Sequence, residues 1–384
     1  MSNVVMFPAA IRGRLRKTSD GKIKVDLANT MRAVREMNEF RNGAVFYDEF
    51  RRDIWVSSEM RWGGDGERAW EDHDTFKLTE ALQLSDCPFK LKDVENSVIT
   101  VAKEHRRNPL KDYLAGLEWD GRSRVDTWLS DYLGVADTPY TRSVGAKWLI
   151  SAVARVMQPG CKADCMLVLE GGQGTFKSST IRALAGAKYF TDSLPSLDSK
   201  DAFLQLRGSW IIELPELKSL REASPNSFKS FISKQDDRYR PPYERGTVNV
   251  QRACVFIGTT NEKQWMSDPT GGRRFWPVRT GFCNIEAISR DRGQLWAEVV
   301  HRYRAGETWW LDDPQIVAAA GEEAMDRLTT DPWLDDIVTF LKGKDDVSTG
   351  EILAGLGVQA HQRRHGEAIR VCLLYTSDAA DDTP

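Results

Sequence analysis

Short strand-like runs at 44–50 and 52–56 alternate with helical ones at 75–85 and 94–105. This mixture predicts a small α+β module over residues 31–109, after a mobile lead-in at 1–30. The stretch 105–109 ends in Asn108-Pro109 and marks a boundary, because proline disfavours helix in the residue before it. Trp119-Asp120-Gly121 has turn chemistry between two apolar-periodic segments. Residues 146–157 read as a strong amphipathic helix. From 165 to 280 strand and helix patterns alternate, the signature of a parallel sheet with crossover helices. This is an α/β core spanning 110–283 together with its preceding helical segment. Beyond Asn284 the pattern turns helical through 371, and 348–371 suggests a helix–turn–helix. Residues 372–384 do not continue it. They resemble a translated sequencing-adapter read-through, with a flexible acidic tail as the alternative.

Composition narrows the classes. The 384 residues are 41% hydrophobic and 28% charged, which excludes a mostly disordered chain and provides for a sizeable core. No run of about 18 apolar residues occurs, so no membrane-spanning helix is expected. The six cysteines, Cys87, Cys161, Cys165, Cys254, Cys283 and Cys372, show no disulfide rhythm. They predict buried free thiols in a soluble protein of a reducing compartment such as the cytoplasm. The formal charge of −3 neither demands nor forbids a nucleic-acid partner.

The chemistry concentrates in one stretch. An apolar strand, Met166 to Glu170, runs into Gly171, Gly172, Gln173, Gly174, Thr175, Phe176, Lys177, Ser178 and Ser179, and then into a helix closing at Gly186. Strand, glycine loop, helix is the context that a Walker A phosphate loop requires. Glycines let backbone N–H groups curl around phosphates, and the helix N-terminus adds a positive dipole. Lys177 would reach the β- and γ-phosphates of ATP, and Ser178 would ligate Mg²⁺. The pattern departs at Phe176, which stands where the last glycine belongs.

Three further features follow in order. A second apolar strand, 210–212, ends at Glu213, the candidate metal-side carboxylate, with Glu216 a candidate base. A third, 255–260, ends at Asn261, placed to hold a lytic water near the γ-phosphate. Arg273 and Arg274 then sit in a glycine-flanked loop, where an arginine could reach a neighbouring subunit's γ-phosphate.

Walker A, strand-end acid, strand-end asparagine and arginine pair, in that order, resemble the superfamily 3 helicases and related ring ATPases. More closely, residues 108–312 resemble the virulence-associated protein E family of phages and mobile elements. The match is carried by 169–186, 210–217, 228–245, 255–262 and 268–278, with support from 108–129 and 291–311. The resemblance implies a P-loop NTPase core and a replication-associated, helicase-like ATPase beside or fused to a primase. The first 110 residues carry no acidic triad or zinc-ligand set of a primase.

Between Lys218 and Arg252 there are eight lysines and arginines against four acids. Phosphate pairing by Arg238, Arg240 or Arg245, with bases stacked on Tyr239 or Tyr243, would suit single-stranded DNA. A structural or inter-subunit role for the same segment stands beside that reading. The expectation is therefore an Mg²⁺-dependent ATPase acting on DNA, assembled as a homo-oligomeric ring, with a possible primase partner and no membrane. Two alternatives are an ATPase that remodels a protein partner without touching DNA, and a degenerate nucleotide-binding module in which Phe176 prevents turnover.

Overall fold

The computed structural model describes residues 12–194, 204–217, 225–240, 246–266, 274–329, 333–344, 347–359, 367–368 and 371–372. The amino-terminal part is an α+β unit that begins earlier than the lead-in read at 1–30 allows, since Leu15 and Ile23 pack into its core and one of its helices opens at Leu27. Helices α1 (Leu27–Glu36), α2 (Asn38–Arg41), α3 (Asp72–Leu84) and α4 (Leu91–Ala102) surround strands β1 (Val45–Asp48), β2 (Asp53–Val56), β3 (Arg68–Ala69) and β4 (Arg106–Arg107). The sheet order is β3-β2-β1-β4, antiparallel except for the β1–β4 pair. Phe40, Val45, Val56, Leu78, Leu82, Phe89 and Val98 form its own core. The boundary read at 105–109 is thus the module's edge strand. Asn108 then caps α5 (Pro109–Ala115) by accepting from the Lys111 amide, with Pro109 in the first turn.

Beyond α5 come α6 (Trp128–Leu133) and α7 (Pro139–Met157), then a second sheet. Its strands are β5 (Met166–Glu170), β6 (Phe190–Thr191), β7 (Ile211–Leu214), β10 (Val255–Thr260) and β11 (Phe275–Arg279). They lie in the order β11-β5-β10-β7-β6, and every pair is parallel. α8 (Lys177–Ala185) follows β5. α9 (Pro225–Ser233) and the antiparallel ribbon of β8 (Asp236–Tyr239) and β9 (Val248–Gln251) lie between β7 and β10. After β11 the described residues form α10 (Ile285–Arg304), α11 (Pro314–Met325), α12 (Leu334–Leu341) and α13 (Thr349–Gly355).

Strand side chains alternate between faces, so this sheet is lined on both sides. Leu167, Leu169, Ile211, Ile257, Trp276 and Val278 point into one core with α7, α8 and α10. Met166, Val168, Ile212, Leu214 and Phe256 point into the other, against Phe228, Phe231 and Ile232 of α9. Tryptophans anchor the first core. The Trp210 and Trp296 rings lie 4.3 Å apart, and their indole N–H groups donate to the carbonyls of Ala152 and Leu184, both at 2.9 Å.

Helix α7 corrects one expectation. It is buried on nearly every side, including Arg155, rather than amphipathic. Two layers cause this, since the sheet covers one side of α7 while α5, α6, α10 and α11 cover the rest. The Trp119-Asp120-Gly121 turn is as expected, with Asp120 accepting from the Arg122 amide and Gly121 at a φ of 82°. Residues 360–366, the centre of the suggested helix–turn–helix, lie outside the described residues. No helix among the described residues is long and apolar enough to cross a membrane.

Candidate phosphate and metal site

All five parallel strands point their carboxyl ends at the same edge, where open α/β sheets bind ligands. β5 ends there in the glycine loop. The loop is held from both sides: the Gly171 amide donates to Thr260 O at 3.1 Å, and the Thr280 amide donates to Glu170 O at 2.7 Å. Gly171 has no alternative, because a Cβ there would lie 2.5 Å from the Thr280 hydroxyl. Phe176 adopts φ 64°, ψ 24°, the left-handed conformation that glycine supplies most cheaply. The backbone turn therefore survives the substitution, and the ring projects outward against Phe282 at 5.6 Å.

Lys177 opens α8. Its ammonium lies 2.8 Å from both Gly171 O and Gly172 O, and 3.3 Å from Asn261 Oδ1. Asn261 is the first residue past β10, so the strand between loop and acid delivers it to the loop lysine. Burial lowers the Lys177 pKa.

Ser178, one residue on, donates to Glu213 Oε1 at 2.6 Å. Glu213 is the next-to-last residue of β7, which runs one residue further than the sequence suggested because it stays paired with β10 through Leu214 and Gly258. Thr259 of β10 donates to the same Oε1 at 2.6 Å. Sequence reasoning missed Thr259, since only the β7–β10 register brings it to Glu213. The other carboxylate oxygen, Oε2, is buried with no hydrogen-bond partner among the described residues. Burial raises the Glu213 pKa, with the two hydroxyls acting against that rise.

Past β7 the chain turns sharply. Glu216 (φ 51°) and Leu217 (φ 48°) both take left-handed conformations. Leu217 is buried against Gly258, where a Cβ would lie 2.5 Å from its Cδ2, and that packing holds the strained turn. Glu216 is thereby exposed on a cavity of about 330 Å³ that it shares with Gln173, Lys177, Ser178, Thr259 and Asn261.

A buried clamp underlies the loop. Arg327, just after α11, donates to both Glu170 oxygens at 2.9 Å, and Trp265 Nε1 donates to Oε1 at 2.8 Å. No local sequence signal marks this pair, because its members are 157 residues apart.

The remaining candidates are elsewhere. Arg274 precedes β11 at the opposite, amino edge of the sheet, where its Nε donates to the Ser233 hydroxyl at 3.1 Å. Contact with its own chain's loop is thus not made, and only a site on another subunit fits the expected role. Arg273 lies outside the described residues, as do Tyr243 and Arg245. The β8–β9 ribbon also stands at the amino edge. Arg238 and Arg240 are exposed on it, but Tyr239 is only 8% exposed and faces inward. Tyr239 is therefore not presented as a stacking platform. The alternation of β8 is set by Asp237, whose carboxylate is bound bidentately by buried Arg252 at 2.5 and 3.0 Å, and Tyr239 shares its face.

Fold and edge together define a mixed α/β protein whose parallel sheet carries a glycine loop, a lysine and a buried carboxylate at one end. Residues 114–331, more than half of the chain, match the virulence-associated protein E-like domain, and the chain belongs to that family. Among solved structures, an apo form of the NrS-1 C-terminal region is similar at 14% identity and a TM-score of 0.43, over 83% of this chain and 80% of that one. A second apo structure of that region, residues 305–718, gives 14% identity and a TM-score of 0.44, over 88% and 87%. No curated protein matches the chain.

Proposed function

We propose that this chain is a Mg²⁺-dependent, helicase-like ATPase of P-loop fold that acts on DNA in the replication of a phage or mobile element. One observation carries the reading: Ser178 and Glu213 meet at 2.6 Å, directly beside the loop lysine. A triphosphate seated on the loop would bring its β- and γ-oxygens to Lys177 and to the Ser178–Glu213 pair. The partnerless Oε2 of Glu213 fits a divalent cation, because a buried carboxylate oxygen without a donor is costly unless a cation or proton meets it. Mg²⁺ is typically held by one or two protein oxygens, with phosphate and water completing the shell. Ser178 and Glu213 would hold it here, and the ion would neutralise charge developing on the phosphates. Asn261 would orient water near the terminal phosphate, and Glu216, exposed on the same cavity, would accept its proton. Arg274, and Arg273 with it, would complete the site of a neighbouring subunit in a homo-oligomeric ring. Arg238 and Arg240, with Arg245, would pair with phosphates of a single strand.

Family membership supports the replication context, including a primase partner. The test is steady-state ATP hydrolysis with Mg²⁺, with and without single-stranded DNA, for wild type and Lys177→Ala. Hydrolysis stimulated by DNA and lost in the variant is the expected result. Hydrolysis indifferent to DNA would favour an ATPase that remodels a protein partner, a reading the inward-facing Tyr239 makes specific. Nucleotide binding with no turnover would favour a degenerate module.

A further inference from the structure

Two aromatic rings stand exposed at the lip of the phosphate cavity. Phe282 is 72% exposed and Phe176 is 47% exposed, and they meet edge to face at 5.6 Å between centroids. Neither exposure is accidental. Phe176 occupies a left-handed backbone position where a bulky residue is strained and glycine is not. Phe282 is displayed on a backbone fixed at four points. Before it, the Thr280 amide donates to Glu170 O at 2.7 Å and the Gly281 amide to Leu133 O at 2.9 Å. After it, the Cys283 amide donates to Thr175 O at 3.2 Å and the Asn284 amide to Tyr132 O at 2.8 Å. Gly281 also packs against Gly134 so closely that a Cβ on it would lie 3.0 Å from Gly134 O. The segment 280–284 is therefore a rigid mount, and it holds an apolar ring in solvent next to the loop.

We propose that Phe282, supported edge-on by Phe176, is the platform on which the base of a bound nucleoside triphosphate stacks. The inference rests on the reading of the loop as a phosphate site and names what that site takes beyond phosphate. Phe176 lines the cavity that holds Lys177 and Ser178, so a ligand anchored there by its phosphates has its organic end within reach of the two rings. A flat base covers an exposed aromatic face and needs no further charged group, and ring-on-ring stacking tolerates base identity. A mount already fixed by backbone hydrogen bonds loses little freedom when the base arrives.

The experiment is calorimetric titration of the full chain with Mg²⁺-ATP, Mg²⁺-ADP and inorganic triphosphate, for wild type, Phe282→Ala and Phe282→Trp. Wild type should bind ATP more tightly than inorganic triphosphate. Phe282→Ala should weaken ATP and ADP by roughly 5- to 100-fold, as expected for losing one stacked base, and leave inorganic triphosphate unchanged. Phe282→Trp should restore ATP affinity. Equal weakening of all three ligands, or an unchanged ATP affinity, would overturn the proposal, the latter also if Phe282→Ala alters the oligomeric state by sedimentation. A wild-type chain that binds neither ATP nor inorganic triphosphate would instead defeat the phosphate-site reading itself.

Discussion

The two edges of the parallel sheet differ in what they leave strained or exposed, although each also holds a buried, paired carboxylate, Glu170 at the carboxyl edge and Asp237 at the amino edge. At the carboxyl edge Glu213 keeps an oxygen without a partner, Phe176 and Glu216 hold strained backbone, and Phe282 faces solvent. At the amino edge most buried charge is met by partners, although the buried Arg155 Nε has none among the described residues. Arg252 grips Asp237 with two hydrogen bonds and donates to the Phe231 carbonyl. Arg155 donates from its terminal nitrogens to the carbonyls of Arg252, Ala163 and Lys234, which ties both roots of the β8–β9 ribbon to α7. Burial lowers the Arg155 pKa, yet its charge is retained among carbonyl dipoles. Strained backbone and an exposed ring at one edge, against a ribbon tied down by paired charge at the other, are what the proposed division into ligand site and scaffold requires.

Substitutions can break this contrast. The largest effect is expected from Lys177→Ala or Glu213→Gln, which should lower ATP turnover by ~10²–10³-fold while leaving thermal stability near that of wild type. A Glu213→Gln chain that turns over normally would remove the carboxyl edge from the chemistry. Asp237→Ala should do the reverse. Stranding buried Arg252 costs ~3–5 kcal/mol of stability, read by denaturant titration, while the fraction that remains folded keeps its ATP affinity. Loss of ATP affinity in that folded fraction would show that the two edges are not separable.

A smaller effect is expected for Arg238→Ala with Arg240→Ala. Affinity for single-stranded DNA should fall and its log–log salt slope shrink by roughly one to two, with DNA-free hydrolysis unchanged. An unchanged slope would take DNA off the exposed face of the ribbon. The gentlest probe is pH. The Glu213 pKa is raised, so Mg²⁺ affinity should begin to fall on acidification at a higher pH than an ordinary glutamate would dictate. The same raised pKa means the folded chain holds that proton more tightly than the unfolded one. Glu213 therefore costs stability as pH rises from the unfolded to the folded pKa, and a bound cation offsets the cost. A Glu213→Gln chain should lack both dependences.

The loop was legible in the sequence because its parts are contiguous. Spacing alone placed Lys177 and Ser178 at a helix start, and strand ends placed Glu213 and Asn261 within one residue or two of their observed positions. What depended on pairing was not legible. Thr259 meets Glu213 only through the β7–β10 register, and Glu170 meets Arg327 only through the packing of α11. The inward turn of Tyr239 follows from a strand alternation whose phase is fixed by Asp237 and Arg252, 15 residues apart. The burial of α7 on nearly every side, Arg155 included, was not legible either, since a charged residue in a helix usually lies on a solvent face.

The Arg327 clamp sets a lower limit on how short a working chain can be. Its guanidinium closes over the last residue of β5, and residues just beyond it are stitched back by the Thr329 amide to Met266 O at 2.8 Å. A chain cut anywhere before this point would leave the buried Glu170 carboxylate with only the Trp265 indole and the exposed Arg279 guanidinium, 3.7 Å from Oε2, at the very root of the glycine loop. Such a fragment would keep every residue of the loop, the acid and the asparagine, and still lose the shape that lets them act together.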